Sequence, residues 1–200
     1  MLAAVAGAAC GGTAARTSSL AAPRATAPPP NAADVRFMTV MIPHHAQAVL
    51  FAGWAASHGA GRAVRVLCER IVVAQRDEIE TMRDWLRDRG RTVPPAEFAR
   101  AGTLRAGAER DMLMPGMLTE DQLAELNAAR GPQFDRLFLT YMIPHHEGAL
   151  IMVDQLFGSY GAAQGDVVFK VASDMYADQS IEIERMERML AAQPPVAPGP

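Results

Sequence analysis

Cysteine is nearly absent from this chain, with two in 200 residues, so no framework of disulfides can organise it. Aromatic residues reach only 6 % and β-branched runs are few, which argues against a core built from sheets. Ala, Leu, Met, Arg and Glu dominate instead, and that composition favours helix. Positive charge is not in excess: the formal net charge is −3, so there is no basic footprint and nucleic acid is excluded as a partner. The stretch able to fold contains no apolar run long enough to span a membrane. Its length suits one domain, or two small similar halves.

The chain is uneven along its length. Residues 1–33 form a low-complexity leader of Ala, Gly, Thr, Ser and Pro, and residues 192–200 a Pro-rich tail, neither able to pack. Met1 to Ala9 is apolar and is followed by Cys10-Gly11-Gly12. Small residues before a cysteine, then a flexible tether, resemble a bacterial lipoprotein signal, although the basic beginning and full length of such a signal are missing. A start site placed too late accounts for both, and export with membrane attachment through a lipidated Cys10 is the expectation. Cys68 falls inside a helical pattern and reads as a small buried hydrophobe.

Histidine is also scarce, and its placement is the most informative feature. Of five histidines, four stand in two copies of one pentapeptide, Met41-Ile42-Pro43-His44-His45 and Met142-Ile143-Pro144-His145-His146. The copies belong to a longer repeat. Asp34 to His45 aligns with Asp135 to His146, and Gln75-Arg76-Asp77-Glu78-Ile79-Glu80-Thr81-Met82 answers Gln179-Ser180-Ile181-Glu182-Ile183-Glu184-Arg185-Met186. In each block the apolar residues recur at spacings of three and four, the period of a helix. Glycines at 59, 61, 90 and 158–165 punctuate the blocks.

Each repeat therefore reads as a helical hairpin, and two hairpins make an all-α four-helix bundle. The expected domain covers 34–191, as a first repeat over 34–90, a connector over 91–131 and a second repeat over 132–191. Its long helices are expected at about 34–57, 62–89, 133–157 and 166–191, related by a pseudo-twofold axis. In the connector, Thr119-Glu120-Asp121-Gln122 is a capping box that opens a short helix running to about Ala129. Pro43 and Pro144 sit within helical patterns and withdraw a hydrogen bond from the carbonyls of Thr39 and Thr140. Since the pattern continues upstream to Phe37 and Phe138, a kink beside the histidines is expected rather than a helix start.

His44, Gln75, Glu78, His145, Gln179 and Glu182 lie on stripes that otherwise face the core, and buried polar groups need partners. A His–Glu hydrogen bond within each hairpin is one solution. A metal held by imidazoles, with carboxylates as ligands or supports, is the other. His44 and His45 project about 100° apart on a helix, so the two rings of a pair cannot point the same way. His44 and His145 are expected to face inward and approach Glu78 or Glu182. Met41 and Met142 lie one turn before the pairs, and Met82 and Met186 one turn after the glutamates. The connector adds Met112, Met114 and Met117. Mixed imidazole and thioether ligands are soft and suit copper as Cu(I), or Ag(I). His and Glu alone suit zinc, Cu(II) or iron.

The blocks MIPHH, Q-x-x-E-I-x-x-M, the connector M-x-G-M-L and FDRLFLTYMIPHHEGAL resemble the domain of unknown function 305 family, over about residues 34–191. That resemblance implies a ferritin-like helical bundle, commonly exported or lipid-anchored, with some relatives binding copper outside the cytoplasm. It points to His44, His45, His145 and His146, with Glu78 and Glu182 behind them. The Ala- and Pro-rich tails depart from the Met- and His-rich tails of copper-binding relatives. The leading reading is a copper-binding protein that sequesters or transfers the metal without catalysis. The alternatives are a structural or partner-binding bundle with internal His–Glu bonds, and a di-metal oxidase, for which the carboxylates are too few. Oligomeric state stays open, with a homo-oligomer among the options.

Overall fold

The computed structural model describes residues 30–95 and 114–193, and among them are five helices and no strand. Residues 1–29 of the leader with Cys10, the connector residue Met112 and the last seven residues lie outside the described residues, while Asn31 to Ala33, expected in the leader, cap and open the first helix. Helix α1 spans Ala32–Ala52, α2 Arg62–Asp88, α3 Glu120–Ala128, α4 Gly131–Phe157 and α5 Asp166–Ala191. No helix among the described residues is long and apolar enough to cross a membrane.

Helix starts follow local chemistry. The Asn31 side chain accepts the Ala33 amide hydrogen at 2.8 Å, so α1 begins at Ala32 rather than 34. The capping box closes as expected: Thr119 Oγ1 accepts from the Gln122 amide at 3.3 Å, and Gln122 Oε1 accepts from the Thr119 amide at 2.9 Å. Helix α4 carries a proline in its first turn, where no amide hydrogen is required. Both α1 and α4 run through their internal prolines, Pro43 and Pro144.

Helix α1 stops at Ala52, short of the expected 57. Residues 53–59 instead form a turn held by the fifth histidine. The His58 ring stacks on Trp54 at 5.7 Å and takes Ser57 Oγ on Nδ1 at 2.9 Å. Its Nε2 donates to the Asn127 carbonyl at 3.0 Å, and its own carbonyl accepts from the Gly131 amide at 2.8 Å. His58 thus latches the first hairpin turn onto the junction of α3 and α4.

The two hairpins cross-brace each other. Asp34, at the start of α1, accepts the Ala163 amide hydrogen at 2.7 Å in the second hairpin's turn. Asp135, at the start of α4, accepts the Gly61 amide hydrogen at 3.1 Å in the first hairpin's turn. Burial raises the Asp135 carboxyl above its usual range against the opposing pull of that bond. The same residue of each repeat therefore closes the other repeat's turn, as a pseudo-twofold axis requires.

Two apolar clusters fill the ends of the bundle. One unites the first half of α1 with the last half of α4 and includes Phe37, Met41, Met82, Trp85, Val153 and Met175. The other unites the second half of α1 with the first half of α4 and includes Phe51, Leu67, Phe138, Met142 and Met186. Helices α1 and α4 are therefore antiparallel. Between the clusters, at the waist, stand the four paired histidines. Cys68 packs in the second cluster as a free thiol, its pKa pushed up by burial.

Candidate metal centre

The adjacent histidines of each pair diverge around the helix, and the structure uses both directions. The inner rings, His44 from α1 and His145 from α4, meet across the hairpin boundary with centroids 3.9 Å apart and planes tilted by 39°. The outer rings turn toward the hairpin seams. His45 Nε2 bonds Glu78 Oε2 of α2 at 2.7 Å, and His146 Nε2 bonds Glu182 Oε2 of α5 at 2.9 Å. The expected glutamate contact thus belongs to His45 and His146, not to His44 and His145. A glutamate on the neighbouring helix faces the seam, which is where the outer ring of each pair points.

All four rings are buried, whereas the Glu78 and Glu182 side chains retain 20 % and 16 % of their exposure. A carboxylate oxygen accepts, so Nε2 of each outer ring carries the hydrogen. The neutral ring then keeps its lone pair at Nδ1. His44 behaves alike, because its Nε2 lies 3.0 Å from the Pro115 carbonyl oxygen, another acceptor. Nδ1 of His44, His45 and His146 is buried without a hydrogen-bond partner, and on His145 both nitrogens are. Leaving such groups unpaired costs about 1–3 kcal/mol each, and the waist gathers several.

Burial drives the pKa of His44 down to about 3, with a smaller electrostatic push from the neighbouring ring of His45 and against the pull of the Pro115 bond. His145 is held well below the usual imidazole range, first by burial and then by the His44 ring, against a backbone contact from His44 that acts the other way. Both inner rings are therefore neutral at pH 7, the form that ligates metal.

The Pro115 carbonyl arrives on a turn built for the purpose. The Met117 amide donates to the Met114 carbonyl at 3.1 Å, with Pro115 and then Gly116 at φ +79° in the central positions. That is a type II turn, whose second central residue needs the left-handed backbone of glycine. Gln47 clasps it from α1, donating to the Leu118 carbonyl at 3.0 Å and accepting from the Leu118 amide at 2.8 Å. Against α4 the approach is backbone to backbone. A β-carbon on Gly148 would lie 1.9 Å from the Pro115 oxygen, and one on Gly116 would lie 2.1 Å from the Pro144 oxygen. Gln47, Pro115, Gly116 and Gly148 were not foreseen as parts of the site. The available signal was Gln47 facing Gly148 at one position of otherwise matching repeats, with a Pro-Gly pair between them.

The methionines are placed differently. Met41 and Met82 are fully buried in one apolar cluster, Met142 and Met186 in the other, flanking the waist from opposite ends. Met114 and Met117 are half-buried on the turn. Among the described residues, no group of three or more His, Cys, Asp or Glu side chains is placed to hold a metal ion together.

The model of the domain of unknown function DUF305 matches residues 34–190, both repeats and the connector. The chain belongs to the DUF305 family. This DUF305 protein is similar to a fragment from Deinococcus radiodurans at 29 % identity, covering 82 % of this chain and 99 % of that one, with a TM-score of 0.68. A DUF305 protein of Streptomyces coelicolor, provisionally assigned as secreted, matches at 25 % identity, covering 80 % and 93 %, with a TM-score of 0.67. CopM in its Cu(I)-bound form matches at 26 % identity, covering 79 % and 95 %, with a TM-score of 0.60. CopM structures with Cu(II) and with silver match likewise. No curated protein matches this DUF305 protein.

Proposed function

We propose that this DUF305 protein binds copper as Cu(I) at the histidine waist and stores or passes on the metal without catalysis. The observation that carries this reading is the set of four buried imidazoles, each with an unpartnered Nδ1. Outer rings backed by carboxylates and an inner ring backed by a backbone carbonyl are the usual supports of metal-bound histidine. The donors suit a soft ion of low coordination number. Inner rings with centroids 3.9 Å apart offer two imidazoles, and buried thioethers flank them, whereas zinc and iron sites call for three or more nitrogen, oxygen or thiolate ligands. The copper and silver forms of CopM favour the same metals. Export belongs to this reading, with Cys10 as the lipid attachment point; the leader and the Streptomyces relative support it.

The His45–Glu78 and His146–Glu182 bonds favour a second reading, a bundle whose histidines only set the register of its helices. It accounts for two of the Nε2 atoms and leaves His145 without any role.

The test is a Cu(I) competition titration. Untagged protein is expected to bind copper, and the His44→Ala/His145→Ala protein to lose it. Met41→Leu/Met142→Leu, which keeps volume and removes sulfur, is expected to weaken binding with unchanged helicity. Equal affinity in the methionine variant removes those thioethers from the site; absence of binding in the wild type sinks the proposal.

A further inference from the structure

The turn at the waist touches one inner histidine and has no counterpart at the other. Its Pro115 oxygen lies 3.0 Å from His44 Nε2, while neither nitrogen of His145 has a partner within hydrogen-bond geometry, a looser backbone contact with His44 aside. The contact is held from three sides. The turn's own 3.1 Å bond sets the direction of the Pro115 carbonyl, the Gln47 clasp holds the segment leaving the turn at Leu118, and the missing side chain at Gly148 gives the carbonyl its place on α4. A backbone carbonyl can only accept, so a ring nitrogen facing it must carry the hydrogen. Which nitrogen of a histidine binds metal is set by what the other one bonds.

We infer that the Met114–Met117 turn is a positioning element of the metal centre: Pro115 holds the hydrogen of His44 on Nε2 and thereby makes Nδ1 the ligand atom of this ring. His145, free of any such partner, is the ring that turns to complete the coordination. The inference rests on the copper reading of the waist and adds to it an inequivalence between the two halves. One inner ring is preset by a loop, and the other adapts to the ion.

Imidazole ¹H–¹⁵N correlation spectra of the metal-free protein at neutral pH read the tautomers directly. The wild type is expected to show His44 hydrogenated at Nε2 and His145 without a fixed preference. Gly148→Ala puts a carbon where the Pro115 oxygen lies and displaces the turn. Gln47→Leu releases the turn from the opposite helix without touching an imidazole, and replaces the first variant should that one lose helicity. In either variant His44 is expected to lose its fixed tautomer while His45 and His146, bonded to glutamates, keep theirs. Affinity for Ag(I), a probe that undergoes no redox change, is expected to fall on the order of ten- to a hundredfold. A wild-type His44 hydrogenated at Nδ1 overturns the inference, as do variants that lose the tautomer yet bind Ag(I) like wild type. A wild type that binds no Ag(I) while showing the Nε2 signal overturns instead the metal reading beneath it.

Discussion

The two halves of the bundle share the aspartate braces and the His–Glu bonds that hold them together and differ most where the connector crosses between them. Asp34 and Asp135, His45–Glu78 and His146–Glu182, and Gln75 and Gln179 occupy matching places and face matching surroundings. Gln47 and Gly148 also occupy matching places, yet one grips the connector and the other makes room for it. A single loop passing over a twofold axis must meet the two halves with different atoms. Duplication built the scaffold twice, and one crossing loop made the inner imidazoles inequivalent.

The largest effect expected from this arrangement is acid sensitivity of the metal-free protein. Below about pH 6.5 an unfolded chain takes up protons on His44 and His145, whereas the folded state keeps His44 neutral until about pH 3 and His145 likewise well below the usual range. The unfolded state thus binds more protons in that window, so stability falls as pH falls through it, by several kcal/mol in order of magnitude. Chemical denaturation at a series of pH values measures it. A flat profile from pH 6.5 to 3 breaks the claim that both inner rings are buried and neutral.

A smaller effect separates the two rings. At pH 7, His44→Leu strands the Pro115 carbonyl and is expected to cost about 1–3 kcal/mol. His145→Leu removes two buried nitrogens without a partner in hydrogen-bond geometry and is expected to leave the metal-free protein unchanged or more stable. The urea denaturation midpoint should fall for His44→Leu and stay or rise for His145→Leu, and equal shifts erase the asymmetry. The smallest effect tests the symmetry that remains. Gln75 and Gln179 both bury a side-chain oxygen without a partner. Gln75→Leu and Gln179→Leu are expected to change stability by less than about 1 kcal/mol each, and by equal amounts. Unequal shifts show that the outer sites also differ.

Periodicity and repetition made the scaffold readable in advance. Phe37, Met41, His44, Ala48 and Phe51 mark one face of a helix whatever the tertiary context, and a repeated block implies a repeated hairpin. The capping box at Thr119 was equally local. Helix α1 ends early because Trp54, Ser57 and His58 build a turn, and that turn depends on Asn127 and Gly131, far away in the chain. The histidines were legible as buried polar residues in need of partners, but not which ring meets the glutamate. A divergence of about 100° says only that the rings part, while the packing of α1 against α4 decides which becomes the inner one. The loop carbonyl at His44 was the least legible part, since main-chain oxygens carry no residue-type signature.

The crossed aspartates bear on ancestry as well as on stability. Because Asp34 closes the turn of the second hairpin and Asp135 that of the first, each of these turn amides finds its partner in the other hairpin. A lone hairpin of this pattern would satisfy that amide with the aspartate of a second identical hairpin, around a twofold axis between the paired inner imidazoles. The present chain therefore has the design of an isologous dimer of short hairpins, fused head to tail. Fusion gave it what a symmetric dimer cannot have, a single connector that treats the two copies differently.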